Sequence, residues 1–160
     1  IAAVGGAAAG AGFSLVTAAD LVVASQAARF TLAYTQIGLS PDGSSTYFLP
    51  RIVGKRRALE LMLTNRVLSA DEALDWGLVN QVVPDEELEA ISTKLAQRLA
   101  AGPTLAFGRT KRLLAASDPD GLETQMELEA RAIADSARSQ DAKAGIAAFL
   151  SKERASFQGE

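Results

Sequence analysis

The 160-residue sequence contains neither cysteine nor histidine. The absence of cysteine excludes disulfides and thiol nucleophiles, and the absence of histidine excludes Ser-His triads and histidine general bases. Without either residue type the usual zinc sites are also excluded, so we expect no metal site. Any acid-base chemistry must therefore be carried out by Asp, Glu, Lys or Tyr side chains.

Charged residues are scarce in the first third of the chain. Residues 1–54 contain only Asp20, Arg29, Asp42 and Arg51. The uncharged start is rich in Gly and Ala, which makes it only weakly hydrophobic, and no basic leader precedes it. We therefore expect neither a signal peptide nor a membrane anchor.

The overall charge gives little sign of a polyanionic partner. The net charge is −3, and no basic stripe with interleaved aromatic residues is present. We expect no nucleic-acid partner and no membrane partner. The expected location of the protein is cytoplasmic.

Hydrophobic patterning predicts an α/β chain whose strands end near residue 83. Strands are predicted at residues 1–4, 21–24, 28–33 and 78–83, and the Gly- and Ala-rich segment 5–12 is predicted as a loop. Helices are predicted at residues 13–19, 45–53 with an interruption at Pro50, 55–64 with Leu59, Met62 and Leu63 on one face, 69–76 with a capping box at Ser69 and Glu72, 84–101, 104–116, 122–138 and 141–154. A further loop is predicted at 117–121. The helical half has more apolar surface than it can cover, which indicates oligomerisation.

One carboxylate lies in a tight turn between a predicted strand and the next helix. Asp42 stands between Pro41 and Gly43 in the most apolar part of the sequence. An acid is rarely buried in such surroundings without a purpose, so Asp42 is a candidate catalytic residue. The alternative is that Asp42 is a turn residue or caps the helix that begins near Ser44. The residues alone leave both open.

The segment 5–12 joins a predicted strand to the start of a helix. A helix N-terminus of this kind presents backbone N–H groups that can bind phosphate or an oxyanion. The third glycine of a dinucleotide fingerprint is missing, and no Gly-Lys-Ser/Thr follows as in a P-loop. The alternative is that small residues here let a helix approach a sheet closely.

Seven segments in this order form a more specific pattern. They are AAVGGAAAGAG at 2–12, ADLVVA at 19–24, ARF at 28–30, GLSPDG at 38–43, LPRIVG at 49–54, SADEALDWGLV at 69–79 and FLSK at 149–152. Together they resemble the C-terminal part of the crotonase family, the enoyl-CoA hydratases and isomerases. The resemblance implies a spiral of ββα units, with residues 1–83 as the C-terminal part of that spiral and residues 84–160 as a helical region that builds trimers. It also implies that about the first third of a typical member is missing.

The resemblance implies an oxyanion hole and one base. Family members hold the thioester oxygen between two backbone N–H groups, and Ala11 matches the second donor, whereas the first would precede Ile1. Because losing one such donor costs about 3–4 kcal/mol, the isolated chain should be a poor catalyst. Ser14 and Tyr34 stand where family hydratases carry two glutamates. Asp42 matches the acidic base of Pro-Asp/Glu-Gly-type isomerases, which implies a 3-enoyl to 2-enoyl shift with Asp42 as the single acid/base.

The resemblance also implies the substrate contacts. Gly10, Tyr34 and Pro41 are expected to contact an acyl-CoA thioester, while Phe149 and Lys152 would complete the site of a neighbouring subunit in a homotrimer or a dimer of trimers. Coenzyme A would enter as part of the substrate, and no other cofactor is expected.

Other functions remain open from the sequence. The enzyme alternatives are an enoyl-CoA hydratase or another crotonase reaction, such as thioester hydrolysis or epoxide isomerisation. The non-enzyme alternative is a catalytically inactive fragment that serves as a trimerising or binding scaffold. The acyl group of the substrate is not visible in the sequence.

Overall fold

A computed structural model describes residues 1–118 and 120–160 of the chain. The chain divides into two compact units, Ile1–Lys94 and Leu95–Glu160. The predicted loop at 117–121 includes Pro119, which lies outside the described residues. The division of roles predicted for residues 1–83 and 84–160 stays a prediction.

The first unit alternates short strands with helices. Its elements are β1 (Ala2–Val4), β2 (Ala7–Ala9), α1 (Ala11–Thr17), β3 (Val22–Ser25), β4 (Arg29–Thr31), a 3-10 helix (Tyr34–Ile37), α2 (Ser45–Val53), α3 (Lys55–Thr64), β5 (Leu68–Ser69), α4 (Ala70–Asp75), β6 (Gln81–Val83) and a second 3-10 helix (Asp85–Glu87). Helix α5 (Leu88–Ala100) contains the boundary between the units.

The strands form two three-stranded sheets. One sheet has the order β1-β3-β6 and is parallel throughout, with Ala3 opposite Val23. The other has the order β2-β4-β5, in which β2 and β4 are parallel with Ala8 opposite Phe30, and β4 and β5 are antiparallel. From β1 to β4, consecutive strands therefore alternate between the two sheets, and the order strand, strand, helix occurs twice from β1 to α2. This is the ββα repeat that the resemblance implied.

The core of the first unit lies between these sheets and helices α1 to α4. Its largest fully buried apolar side chains are Phe13, Phe30, Leu32, Leu49, Leu61, Leu68 and Val23. The rings of Phe13 and Phe30 lie 5.9 Å apart between centroids, which joins α1 to β4. Burying apolar side chains of this size stabilises the fold by about 1.5–3 kcal/mol each. The core therefore fixes α1, and with it the residues on α1, against β4.

The predicted loop at 5–12 is wrong over five residues, because Ala7–Ala9 form a strand and Ala11 and Gly12 begin helix α1. Ala7–Ala9 form strand β2, which pairs with β4. Alanine has a low intrinsic preference for strands, so the strand depends on the hydrogen-bonded ladder to β4 rather than on local sequence. The small side chains allow α1 to follow directly at Ala11.

The predicted apolar face of α3 is also wrong in part. Leu59 and Leu63 are 44% and 68% exposed, whereas Ala58 and Leu61 are buried and Met62 is partly buried against the core. Helix α3 carries apolar residues on two sides, and periodicity alone does not show which side meets the core. Helix α2, in contrast, continues through Pro50 instead of being interrupted by it.

The second unit is helical. After α5 it contains α6 (Thr104–Ala116), α7 (Leu122–Ala137) and α8 (Gln140–Ser151). The buried Asp141 carboxylate accepts hydrogen bonds from the backbone N–H groups of Gln158 and Gly159, at 2.7 and 2.9 Å, which fastens the last residues to the start of α8. Within the described part of the chain, no helix is both long enough and apolar enough to cross a membrane.

Candidate active site

The turn that carries Asp42 joins the first 3-10 helix to α2. Gly43 and Ser44 follow Asp42 with φ of 60° and 67°, which reverses the chain before α2 begins at Ser45. The main-chain carbonyl of Asp42 accepts from the backbone N–H and the hydroxyl of Ser45, at 3.3 and 2.9 Å. Ser44 is the N-cap of α2, and its side chain makes no capping bond. Asp42 is therefore a turn residue, but it is not the helix cap that one alternative predicted.

The Asp42 side chain has a partner in the 3-10 helix that follows β4. The hydroxyl of Tyr34 donates a hydrogen bond to Oδ1 of Asp42 at 2.5 Å. This bond raises the pKa of the Tyr34 phenol, because the proton stabilises the neighbouring carboxylate. Tyr34 therefore stays protonated at neutral pH. Asp42 itself is exposed in this structure, so the expectation of a buried acid is wrong for this chain.

Helix α1 contacts the same turn through Ser14. The fully buried Ser14 donates from Oγ to the main-chain carbonyl of Asp42 at 2.9 Å, and its Oγ lies 3.4 Å from the hydroxyl of Tyr34. A Cβ added to Gly43 would lie 2.8 Å from Cβ of Ser14. The turn therefore lies directly on α1, with no room for a side chain at position 43.

The Gly- and Ala-rich segment ends beside this group. Gly10 is the N-cap of α1 with φ of 54°, and its N–H donates to the carbonyl of Thr31 at 3.0 Å. Ala11 is the exposed first residue of α1, so its backbone N–H has no partner within the helix. A Cβ at Gly10 would lie 3.9 Å from Cζ of Tyr34. The Tyr34 ring thus lies near the start of α1, and its hydroxyl lies beside Ser14 and Asp42.

Five of the seven predicted site residues lie in the first unit, and the structure brings them close together. Gly10 and Ala11 are adjacent in the chain, the Tyr34 ring lies near Gly10, the Tyr34 hydroxyl bonds Asp42, and the half-buried Pro41 precedes Asp42.

The other two residues belong to the second unit. Phe149 is 81% exposed in the last turn of α8, and Lys152 is the C-cap of that helix with φ of 56°. Their predicted contacts with a neighbouring subunit stay predictions. Among the described residues, no cluster of three or more Asp or Glu side chains could hold a metal ion.

Sequence reasoning missed the direct contact between Tyr34 and Asp42. Tyr34 lies in the 3-10 helix and Asp42 in the turn after it, so no single helix or strand relates the two residues by its period. A left-handed residue at Ala33, the 3-10 helix and Gly38 together bring them close. No pattern in the sequence predicted that geometry.

A family model described as enoyl-CoA hydratase/isomerase matches residues 1–160. The chain belongs to this family. Among its relatives, the 1,2-epoxyphenylacetyl-CoA isomerase of Escherichia coli strain K12 is 40% identical over 160 residues, covering 100% of this chain and 61% of the relative. The crotonyl-CoA hydratase of Syntrophomonas wolfei is 38% identical, covering 98% of this chain and 60% of the relative.

Solved structures of the family share the fold. A crystal structure of an enoyl-CoA hydratase/isomerase from Cupriavidus metallidurans CH34 has a TM-score of 0.90 and 42% identity, covering 96% of this chain and 58% of that one. The chain therefore has the crotonase fold, and it spans about three fifths of the length of the family members it matches.

Proposed function

We propose that the protein to which this chain belongs shifts the double bond of an enoyl-CoA from the 3 to the 2 position, with Asp42 as the single acid/base. The observation that carries the proposal is the group formed by Ser14, Tyr34 and Asp42, which contains one carboxylate and two hydroxyls. An isomerase needs one base that can take a proton and return it.

The proposed reaction begins at C2 of the substrate. The Asp42 carboxylate removes a proton from C2 of a 3-enoyl thioester, and the electron pair spreads over the dienolate to the thioester oxygen. The backbone N–H of Ala11 stabilises that oxygen, together with a second donor that the family provides outside this chain. The protonated Asp42 then returns the proton to C4, which leaves the double bond between C2 and C3.

The same group argues against efficient hydration. A family hydratase uses two carboxylates to orient and deprotonate water and to share in the proton transfer, and the matching positions here are Ser14 and Tyr34. Neither hydroxyl is ionised at neutral pH, and the pKa of Tyr34 is raised further by Asp42. The site therefore lacks the pair of carboxylates that a hydratase uses to activate water.

A second candidate is isomerisation of an epoxide-bearing acyl-CoA. The identity of 40% to an enzyme named 1,2-epoxyphenylacetyl-CoA isomerase favours it over thioester hydrolysis. The identity of 38% to a crotonyl-CoA hydratase keeps hydration as the next alternative. An inactive scaffold is the remaining one.

The proposal also covers the substrate contacts, the assembly and the location of the protein. The partner is an acyl-CoA thioester, Gly10 and Pro41 line the acyl site, and coenzyme A is part of the substrate. The protein forms a homotrimer or a dimer of trimers in which Phe149 and Lys152 complete the site of the next subunit. A cytoplasmic location is part of the same proposal.

The test uses the full-length protein with three substrates. We expect conversion of a 3-enoyl-CoA to the 2-enoyl-CoA, followed by absorbance of the conjugated thioester, and little or no hydration of a 2-enoyl-CoA. An epoxide-bearing acyl-CoA distinguishes the second candidate. Efficient hydration without isomerisation would contradict the assignment, and absence of all three reactions would favour the scaffold.

A further inference from the structure

We propose that Tyr34 and Ser14 are positioning residues for Asp42, in which the Tyr34 phenol holds Oδ1 so that Oδ2 is the oxygen that carries the proton. This inference rests on the proposed function, because it assigns roles to the two oxygens of the proposed base. It also gives a role to the residues at the two positions where family hydratases carry glutamates.

The Asp42 carboxylate needs an external support. It is exposed, and it lies on a turn that is followed by two residues with positive φ, Gly43 and Ser44. A free side chain in this setting samples several rotamers, and a base that is displaced by about 1 Å can lose 10²-fold in rate. The bond from Tyr34 restricts that freedom, because a hydroxyl that donates to an ionised carboxylate makes a charge-assisted hydrogen bond, which is about twice as strong as a neutral one.

The bond is made to one oxygen of the carboxylate. Tyr34 has a single O–H, and it donates to Oδ1. Oδ2 therefore keeps its lone pairs for the substrate. The ring of Tyr34 lies near Gly10, whose neighbour Ala11 is the exposed first residue of α1 and has an N–H without a partner in the helix. The Tyr34 side chain is thus close both to Asp42, the proposed base, and to the residue that precedes Ala11, the proposed oxyanion donor.

Ser14 holds the backbone of the Asp42 turn, whereas Tyr34 holds the Asp42 side chain. It is fully buried and donates to the main-chain carbonyl of Asp42 at 2.9 Å. Gly43 lies so close to Ser14 that even a methyl group on Gly43 would meet Cβ of Ser14 at 2.8 Å. A long side chain at position 14 would have to displace the turn. The small residue at position 14 is therefore a condition for the Asp42 turn to take this place.

The assignment keeps the proton balance simple. Oδ2 accepts the proton as the C2–H bond breaks, and it releases the same proton as the C4–H bond forms. The Tyr34 proton stays on the phenol throughout and donates to Oδ1. No oxidant, metal or second acid takes part in these steps.

The first test compares the two tyrosines of the chain. Tyr34→Phe keeps the ring near Gly10 and removes only the hydroxyl, whereas Tyr47→Phe removes the exposed hydroxyl of α2 as a matched control. In the full-length protein we expect Tyr34→Phe to lower kcat for isomerisation about 10- to 100-fold with little change in KM, because the base is misplaced. We expect Tyr47→Phe to retain wild-type kcat. Wild-type kcat in Tyr34→Phe would overturn the proposal.

Ser14 is tested by size and by hydrogen bonding. Ser14→Ala removes the hydroxyl but fits the site, so we expect a smaller loss in kcat than for Tyr34→Phe. Ser14→Glu should lose isomerisation completely, because the side chain displaces the turn. A Ser14→Glu variant that folds and isomerises at the wild-type rate would overturn the role of Ser14.

A measurement independent of catalysis examines the contact itself. The groups that act on the Tyr34 hydroxyl are the Asp42 carboxylate and the Ser14 hydroxyl. In ultraviolet difference titrations against Tyr34→Phe, we expect the Tyr34 phenol to ionise above the ordinary tyrosine value of about 10 and to ionise at lower pH in Asp42→Asn. An unchanged titration in Asp42→Asn would overturn the contact even if the enzyme isomerises. A changed titration in a protein without isomerase activity would support the contact and overturn both the proton-carrying role and the proposed function.

Discussion

Gly43 is the residue at which one added methyl group would disturb the candidate site most directly. Its φ is 60°, and its added Cβ would lie 2.8 Å from Cβ of Ser14. Gly77 has φ of 75° and no heavy atom near an added Cβ, so it is the matched control. Both Gly→Ala changes introduce backbone strain of about 1–2 kcal/mol. We expect Gly43→Ala to be destabilised further and to lose most isomerisation, while Gly77→Ala keeps its activity.

Urea unfolding and kcat of the two variants check this prediction. A larger loss of stability in Gly43→Ala measures the clash beyond the strain that both variants share. Equal stability and equal activity in the two variants would show that the turn can move away from α1 without effect.

At this scale the sequence supplied the proposed base but not its surroundings. The Pro41-Asp42-Gly43 sequence predicts a turn on its own, because Pro and Gly have special backbone preferences. The hydrogen bond from Tyr34 depends on a 3-10 helix and on the position of α1, neither of which is a local property. From the sequence, Ser14 stands out only because family hydratases carry a glutamate at that position, whereas the structure shows that its hydroxyl supports the turn.

Among the elements, α4 offers a clear test of local sequence. Ser69 Oγ accepts from the backbone N–H of Glu72 at 3.2 Å, and Glu72 Oε2 accepts from the backbone N–H of Ser69 at 2.9 Å, which confirms the predicted capping box. We expect Ser69→Ala to lower the free energy of unfolding by about 1 kcal/mol, measured by urea unfolding. Ser92→Ala, inside α5, is the control and should be neutral or slightly stabilising, because alanine has the higher helix propensity.

The capping box also makes part of the stability depend on pH. The backbone bond from Ser69 lowers the pKa of Glu72, and the Arg66 guanidinium lowers it further. This contribution is present above the ordinary glutamate pKa and is lost as pH falls through the lowered value. The difference in stability between wild type and Glu72→Gln should therefore shrink in acid. A difference that grows as pH falls would contradict the role of Glu72.

Helices were easier to predict than strands for a physical reason. Helices α2, α3 and α6 begin and end at the predicted residues, since helical hydrogen bonds and end signals are local. Strands β2 and β5 have three and two residues and were not predicted, because they exist through pairing with β4. The side of α3 that faces the core was misassigned because the choice depends on the packing of other elements.

For the whole molecule, the prediction of self-association can be tested by removing one helix. Several apolar side chains of the second unit are exposed, among them Leu114, Leu122, Ile133, Phe149 and Leu150. Exposed apolar surface of this kind is typical of interfaces. We expect truncation of the full-length protein after Gln140 to weaken the assembly, measured by light scattering. A strictly monomeric intact protein that binds acyl-CoA normally would contradict the shared site.

Lys152 tests the contribution of the second unit to CoA binding. It is exposed at the end of α8, and Lys143 is an exposed lysine on the same helix that serves as the control. We expect Lys152→Ala to weaken CoA binding more at low salt than at high salt, because an exposed contact with phosphate is screened by ions. Calorimetric titration at two ionic strengths measures the effect. An equal effect of Lys143→Ala would indicate general charge rather than a specific contact.

The most direct test of the central claim is the rate of enoyl-CoA isomerisation by Asp42→Asn in the full-length protein. Asp75→Asn, an exposed acid on α4, is the matched control, and circular dichroism establishes that both variants are folded. We predict that Asp42→Asn loses about 10²–10⁴-fold in kcat, the range for a positioned general base, while Asp75→Asn keeps the wild-type rate. Wild-type turnover by a folded Asp42→Asn variant would show that Asp42 is only a turn residue.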